Sequence, residues 1–465
     1  MSSMTKRTII LMICRAANYS VLLFSPIFLV RILDVRSYGQ YREFILYAML
    51  ISTIADFAIR NNLIFFIAKY PDLERKSVTH TALLILITST IAASAVYLAK
   101  NLILARTSYD FIPFLMLYIF FYLNLDFYES YWIGKKRAQN VLVYSTGRVI
   151  IRMIAIIIVA YLTQDVISVI KVIISVEIAK CIFMFFAFRK FFTKNLDRTL
   201  LRKQLRYIVP LGFASNINYL NTHLARLLVS IKMGAESLAI YSIGSYQIPL
   251  ISILRASIMD VLFPEMSERG DAERLLLWKR ANVVFCSIVF PLFVVFFYYA
   301  DTLVVTLFTR EYAAAIPLFR VYLFLMVRQC FELTSPLRSK NKNTYFILGS
   351  ILLLTVNIGL IILLFQRIGI IALPIAFVIG DVCMGIYLAS IVMKNYRTSI
   401  GGLYMWKKIF SVLFEFDPVI KAIVFSLVYL SLYVFFVRKR RIEEVDLLLD
   451  KVSNRLRRAK RNMKE

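Results

Sequence analysis

The segment "NINYLNTHLAR" places Asn216, Asn218, Asn221, His223 and Arg226 inside a stretch, Tyr207 to Ile231, that is otherwise apolar. Amide groups hydrogen-bond neutral hydroxyls, and a guanidinium fork binds carboxylate or phosphate; none of these residues is a nucleophile paired with a base. An ionised side chain at the centre of a membrane helix costs about 2.5–3.5 kcal/mol on insertion scales. Such a side chain therefore faces water, a partner or a ligand. The same holds for Arg15, Asn18, Asp56, Arg60, Asp126, Glu129, Arg148, Arg152, Glu177, Lys180, Arg255, Asp260, Arg320, Arg328, Glu332 and Asp381, all within apolar runs.

Spacing divides these residues. Asp56 and Arg60 are four apart, as are Arg328 and Glu332, and Glu177 and Lys180 are three apart, so each pair can neutralise itself on one helix face. Arg148 and Arg152 share a face, repel, and need an anion from outside their helix. Arg15, Arg226, Arg255 and Arg320 have no acid at helical spacing in their own span. The surplus is basic and suits an anionic ligand, phosphate above all. The amide and phenol groups around Arg226 suit sugar hydroxyls, although polar contact between helices explains Asn216, Asn218 and Asn221 equally well.

The elements that must position these residues follow from composition. In 465 residues, 60% are hydrophobic, and the mean hydropathy is +0.72. That excludes a soluble domain and gives an integral membrane protein. Apolar windows long enough to span occur near 8–30, 44–68, 80–104, 111–133, 141–162, 167–189, 207–231, 238–263, 281–308, 316–336, 344–365, 368–393 and 419–437. The net charge of +28 reflects loops such as "GKKRAQN" (134–140), "SERGDAERLLLWKR" (267–280) and "LRSKNKN" (337–343), all on one side, and points to no nucleic acid. "TQDV" (163–166), "KMGAES" (232–237) and "QRIG" (366–369) on the other side carry few cations. This bias predicts a multi-pass protein of the bacterial inner membrane with a cytoplasmic N-terminus and no cleaved leader.

Sliding the chain over itself by 200 positions pairs Asn18 with Asn218, Tyr19 with Tyr219, Ser37 with Ser237 and Tyr41 with Tyr241. Spans 1 and 7 then enter from the same side, which predicts two parallel six-helix bundles, residues 1–192 and 207–393, joined by a basic cytoplasmic linker at 193–206. Residues 394–437 add an interfacial helix and further membrane element or elements. The basic tail 438–465 carries Val445, Leu448, Leu449, Val452 and Leu456 at helical spacing, fit for an anionic leaflet if 403–416 also crosses.

Cys14, Cys181, Cys286, Cys330 and Cys383 fall in separate spans with no CxxC pair, and His80 and His223 stand alone, so neither a disulfide, a metal nor any other cofactor is expected. There is no P-loop and no nucleophile with its base, which argues for a carrier and not an enzyme.

Residues 25–69, with Arg31 and Leu33 at the end of a helix, the step Tyr38-Gly39-Gln40-Tyr41 and a helix bearing Asp56, resemble the opening helix pair of the Wzx-like polysaccharide-unit flippases. These form a branch of the multidrug/oligosaccharidyl-lipid/polysaccharide (MOP) exporter superfamily. "RLLVSIKMGAESLAIYSIGSYQIP" (226–249) is similar to the seventh-helix exit of that family. The resemblance extends over residues 8–393. It implies an all-α fold of two six-helix bundles in a V, as in the MATE branch. It further implies flipping of an undecaprenyl-diphosphate-linked oligosaccharide from the cytoplasmic to the periplasmic leaflet by alternating access, often coupled to an ion. Membrane lipids, a polysaccharide polymerase and chain-length machinery are the partners of such a carrier.

On that resemblance Arg15, Asn18, Arg60, Arg148, Arg152, Asn218, Arg226 and Arg255 line the substrate cavity, and Asp56, Glu129, Asp260 and Asp381 are the acids for ion coupling. Two positions depart from the family pattern. Ala225 stands where an acid commonly precedes the arginine, which puts that acid's coupling role in doubt. Ala58 stands where a glycine usually follows the acid of the second helix, a change expected to alter packing. Three other functions compete: a drug/cation antiporter, which would want a negative cavity; a lipid II flippase, which shares the physics; and a membrane enzyme of polysaccharide assembly. The enzyme would want a large outer loop, and the longest outer connection lies near Lys100–Phe111.

Overall fold

The structure, a computed structural model, describes residues 25–99, 111–135, 137–246, 270–329 and 344–396. It also describes Ile248, Ile251, Arg255, Leu262, Met266, Leu333, Pro336, Leu337 and Lys340. Arg15, Asn18, Asp260, Glu332, the side chain of Asn218 and the elements expected after residue 396 lie outside the described residues.

Among the described residues the chain is helical with no strand. The described part of helix α1 (25–32) is followed by α2 (Val35–Asp56), α3 (Ile59–Lys69), α4 (Glu74–Leu98), α5 (Ile112–Leu123), α6 (Tyr128–Gly134), α7 (Ala138–Thr163) and α8 (Val166–Phe188). Then come α9 (Arg198–Gly244), α10 (Asp271–Tyr298), α11 (Ala300–Phe308), α12 (Ile316–Gln329), α13 (Thr344–Ile368) and α14 (Ala372–Tyr396). Four stretches are long and apolar enough to cross a membrane, and α2 with α3 makes a fifth when the bent pair is taken as one span.

Aspartates start three of these helices. Asp34 accepts from the Ser37 N–H at 3.2 Å, Asp165 from Ile167 and Ser168 at 3.2 and 2.9 Å, and Asp197 from Thr199 and Leu200, both at 3.0 Å. Each carboxylate satisfies N–H groups that have no partner inside the helix. The cap at Asp197 turns the second half of the basic linker into helix, so residues 198–206 are the first turns of α9 and not a loop. Likewise α10 starts at Asp271, within the loop expected at 267–280.

The second span, expected at 44–68, starts at Val35 instead. Tyr38, Gln40, Tyr41 and Glu43 are too polar to read as membrane helix, yet they are buried, because another helix covers them. Phe57 (φ 44°) and Ala58 (φ 63°) adopt the left-handed conformation, which breaks this span between α2 and α3 at a bend of 41°. The departure at Ala58 therefore bears on the backbone as well as on packing, since a non-glycine residue pays about 1–2 kcal/mol there. Ala58→Gly is expected to raise the apparent melting temperature of the purified protein; an unchanged or lower value would show that the bend carries no strain. The fourth span is broken similarly between α5 and α6, with Leu125 at φ 56°.

Gly234 (φ 79°, ψ −174°) interrupts α9 and is the corner between two helices, where a loop was expected at 232–237. The 200-residue offset places this corner on Asp34, the corner between α1 and α2. The repeat found in the sequence is thus a repeat of backbone breaks as well as of side chains.

Helix α2 runs along α9 and joins the two halves. Gly39 permits the closest approach, since a Cβ there would lie 2.2 Å from the Ala235 carbonyl oxygen. Further along, the Tyr47 and Ser230 hydroxyls are 3.1 Å apart, and Asn216 Nδ2 donates to the Ile54 carbonyl at 3.4 Å. Beyond the bend, Phe57 meets Phe213 edge-on at 5.2 Å and Phe65 stacks on Tyr207 at 4.7 Å. Asn216 and Ser230, at the two ends of "NINYLNTHLARLLVS", therefore meet α2 across the junction of the halves.

Candidate functional site

Two groups of basic residues stand out. The first lies inside the N-terminal half, around the two helix breaks. Asp56 ends α2 and Asp126 sits in the break between α5 and α6. Arg60, at the start of α3, donates to Asp56 at 2.8 Å and to Asp126 at 2.6 Å. Arg148 on α7 reaches Asp126 at 2.7 Å and Glu177 at 3.3 Å, and Arg152 reaches Glu177 at 3.3 Å. Lys180 on α8 lies 3.0 Å from Glu177 and 3.8 Å from Asp126, and donates at 2.7 Å to the Tyr122 carbonyl in the last turn of α5. That carbonyl belongs to a broken helix end, where a cation is favoured.

Of the three pairs expected from spacing, Glu177–Lys180 forms on one helix and Asp56–Arg60 forms across the break between α2 and α3, while Glu332, the expected partner of Arg328, lies outside the described residues. The anions that Arg148 and Arg152 require are the protein carboxylates Asp126 and Glu177. Tyr118 and Tyr122 stack at 5.3 Å, and Arg152 and Arg148 lie 5.8 Å from their respective ring centres, so the cations also gain the ring faces. Four cations thus meet three carboxylates in a nearly neutralised frame that ties α2, α3, α7, α8 and the α5–α6 break together.

The second group lies between the halves. Arg226 on α9 is half-buried, donates to Ser245 Oγ at 3.3 Å, and meets no carboxylate at ion-pair distance among the described residues. Tyr219, Tyr241, Tyr322 and, from α2, Arg42 are within electrostatic range of it. Arg42 is likewise without an ion pair among the described residues, and its buried Nε has no hydrogen-bond partner. Arg42 lies on α2 and Arg226 on α9, the two helices that meet across the junction, close enough for their charges to interact. Two guanidiniums facing each other repel unless an anion lies between them.

The surroundings are polar but uncharged. The Tyr219 and His223 rings lie 4.3 Å apart one helical turn from each other. His223 Nδ1, Asn216 Oδ1 and Asn221 Oδ1 are buried without a hydrogen-bond partner among the described residues. Tyr241 and Tyr322 share a hydrogen bond at the back of the site. The arrangement can hold a dianion between two forks and offers hydrogen-bonding groups beside it.

The other expected residues are dispersed. Arg320 pairs with Asp301, so its anion comes from the neighbouring span. Asp381 is held by Arg328 at 3.3 Å, with Arg255 in electrostatic range. Glu129 hydrogen-bonds Ser145. Arg42 was missed because residues 35–43 read as a connection. Asp34 three positions before Ser37, and the register of the repeat, are the signals that mark it as helical.

The family model described as "Polysaccharide biosynthesis protein" matches residues 4–269. A search of curated protein sequences finds no match. Among solved structures, the lipid II flippase MurJ in an inward closed conformation superposes with a TM-score of 0.63 at 16% identity, over 91% of this chain and 99% of that one. An inward-facing multidrug resistance MATE transporter of the MOP superfamily gives 0.63 at 13% identity, over 83% and 98%. A MOP superfamily transporter from Pyrococcus furiosus, described by the reverse polarity of its binding pocket, gives 0.57 at 12% identity, over 84% and 96%. At these identities the likeness establishes the fold, which is that of the MOP transporters, and a multi-pass membrane protein with it. With more than half of its length matched by the family model, the chain belongs to the polysaccharide biosynthesis protein family.

Proposed function

We propose that this protein is a flippase that carries an undecaprenyl-diphosphate-linked oligosaccharide unit from the cytoplasmic to the periplasmic leaflet of the bacterial inner membrane. The observation that carries this reading is the pair Arg42 and Arg226, one from each half, neither of them in an ion pair with a carboxylate among the described residues. A diphosphate bridges two guanidinium forks well. Alternating access needs a ligand that touches both halves, and an anion between these arginines does so. The amide, imidazole and phenol groups of Asn216, His223 and Tyr219 supply donors and acceptors of the kind that sugar hydroxyls require. The isoprenoid tail stays in lipid, so only the polar head needs the cleft.

On this reading the substrate leaves unchanged, as for the carriers that the chain resembles in fold. A drug/cation antiporter would want the opposite charge in this position. The N-terminus is assigned to the cytoplasm on the Lys and Arg bias of the connections, and a polymerase on the far side of the membrane would consume the flipped units.

The test is the fate of lipid-linked units in a deletion strain. Complete units accumulating on the cytoplasmic leaflet, with loss of surface polymer, are expected. Units that reach the outer leaflet and remain unpolymerised would show that translocation is not this protein's task. Accumulation of peptidoglycan precursor instead would reassign the substrate to lipid II.

A further inference from the structure

Glu43 is 1% exposed and lies on α2 at the junction of the halves, one residue beyond Arg42. Its Oε1 accepts the hydroxyl proton of Ser230, which is fully buried on α9 and belongs to the other half. Tyr47, one turn on from Glu43, places its phenol 3.1 Å from the same serine. The second carboxyl oxygen, Oε2, is buried with no hydrogen-bond partner among the described residues. Of the titratable and charged groups nearby, Tyr47 and Arg42 share its helix, and Arg226 lies one turn before Ser230 on α9. Among the described residues none of these, and no charged group on α4, α5 or α8, the other elements packed on α2, forms an ion pair with the carboxyl. A carboxylate buried in this way, with no cation and one lone oxygen, is strongly disfavoured, whereas the neutral acid keeps its hydrogen bond at little electrostatic cost.

We propose that the Glu43 carboxyl is a proton-binding site that latches the two halves together, and that loss of its proton opens the junction at the Val35 end of α2. The proposal deepens the flippase reading and rests on it for the direction of the cycle. In the closed junction the neutral acid bridges α2 to α9 through Ser230. When the halves part, water reaches the carboxyl and the proton leaves; an anion left in the open cleft cannot be re-buried until it is protonated again. The bond that changes is a single O–H, and the proton goes to water on the side to which this end opens. Among the acids first considered for coupling, Asp56 and Asp381 are held by Arg60 and Arg328. Each carries its counter-charge with it through the cycle.

The test uses the full chain in nanodiscs, with its five native cysteines replaced and spin labels at Thr163→Cys and Met233→Cys. Both positions are exposed at this end, one in each half. The distance between the labels is expected to lengthen between about pH 5 and about pH 9, a window that brackets buried carboxyl groups. Glu43→Gln, neutral at every pH, is expected to hold the short distance throughout. Glu43→Asp, which still titrates, should keep the response with a displaced midpoint and so guards against a misfolded glutamine variant. A parent distance independent of pH, or a glutamine variant that follows the parent, would overturn the proposal. The distances need no saccharide, so a failed flipping assay leaves this result standing, and a pH-insensitive distance leaves the flippase reading standing.

Discussion

Arg226→Ala is expected to abolish transport while the protein still reaches the membrane at its normal level. Arg226 donates one hydrogen bond, to Ser245 at 3.3 Å, and meets no carboxylate among the described residues. Removing it leaves no buried acid stranded and relieves repulsion with Arg42, so the fold loses little. The substrate loses a charged fork. Truncating one side of a desolvated charge pair costs about 2–5 kcal/mol, a fall in affinity of about thirtyfold or more. Arg42→Ala should act in the same direction, and Arg226→Lys should restore part of the activity, since an ammonium keeps the charge but not the planar fork. Normal surface glycan in a strain that depends on Arg226→Ala would remove this residue from the site.

Asp126→Asn should do the reverse, lowering the amount and the melting temperature of the protein. Asp126 is the shared anion of Arg60 and Arg148, with Lys180 at 3.8 Å, and its side chain is almost wholly buried. Neutralising it leaves those cations competing for Asp56 and Glu177, the situation in which removal of one member of a buried ion pair costs about 3–5 kcal/mol. Melting of the purified variant beside Arg226→Ala separates the two basic groups. If Asp126→Asn melts with the parent while Arg226→Ala is unstable, the roles assigned to the two groups would have to be exchanged.

Helical periodicity made part of this site legible in advance. Glu177–Lys180 follows from spacing alone, because partners three apart on one helix share a face; Asp56–Arg60 has the right spacing but closes across a helix break that the spacing does not show. The partners of Arg148 and Arg152 do not follow from spacing, since Asp126 and Glu177 come from other elements and their approach depends on how helices rotate and break. Arg42 and Glu43 escaped for a different reason. Hydropathy treats "RSYGQYRE" as a connection, and only the facing helix α9 makes it a membrane interior. The same blindness set the start of the second span too late and made a loop of Gly234, where one left-handed residue suffices to turn the chain. The order of helices, the break near 34 and its image near 234 were within reach of sequence, because composition and repeat register are local or additive properties.

The frame around Asp126 also constrains how the protein is made. Arg60 leaves the ribosome long before Asp126, and Arg148 and Arg152 before Glu177 and Lys180. The seventh element, α7, thus carries two arginines toward the bilayer before the carboxylate that neutralises one of them exists. Entering lipid before α8, helix α7 would bear Arg152 without its carboxylate. Insertion of α7 together with α8 spares the cost of about 2.5–3.5 kcal/mol that Arg152 would incur alone in lipid, so the two helices gain by entering the membrane as a pair.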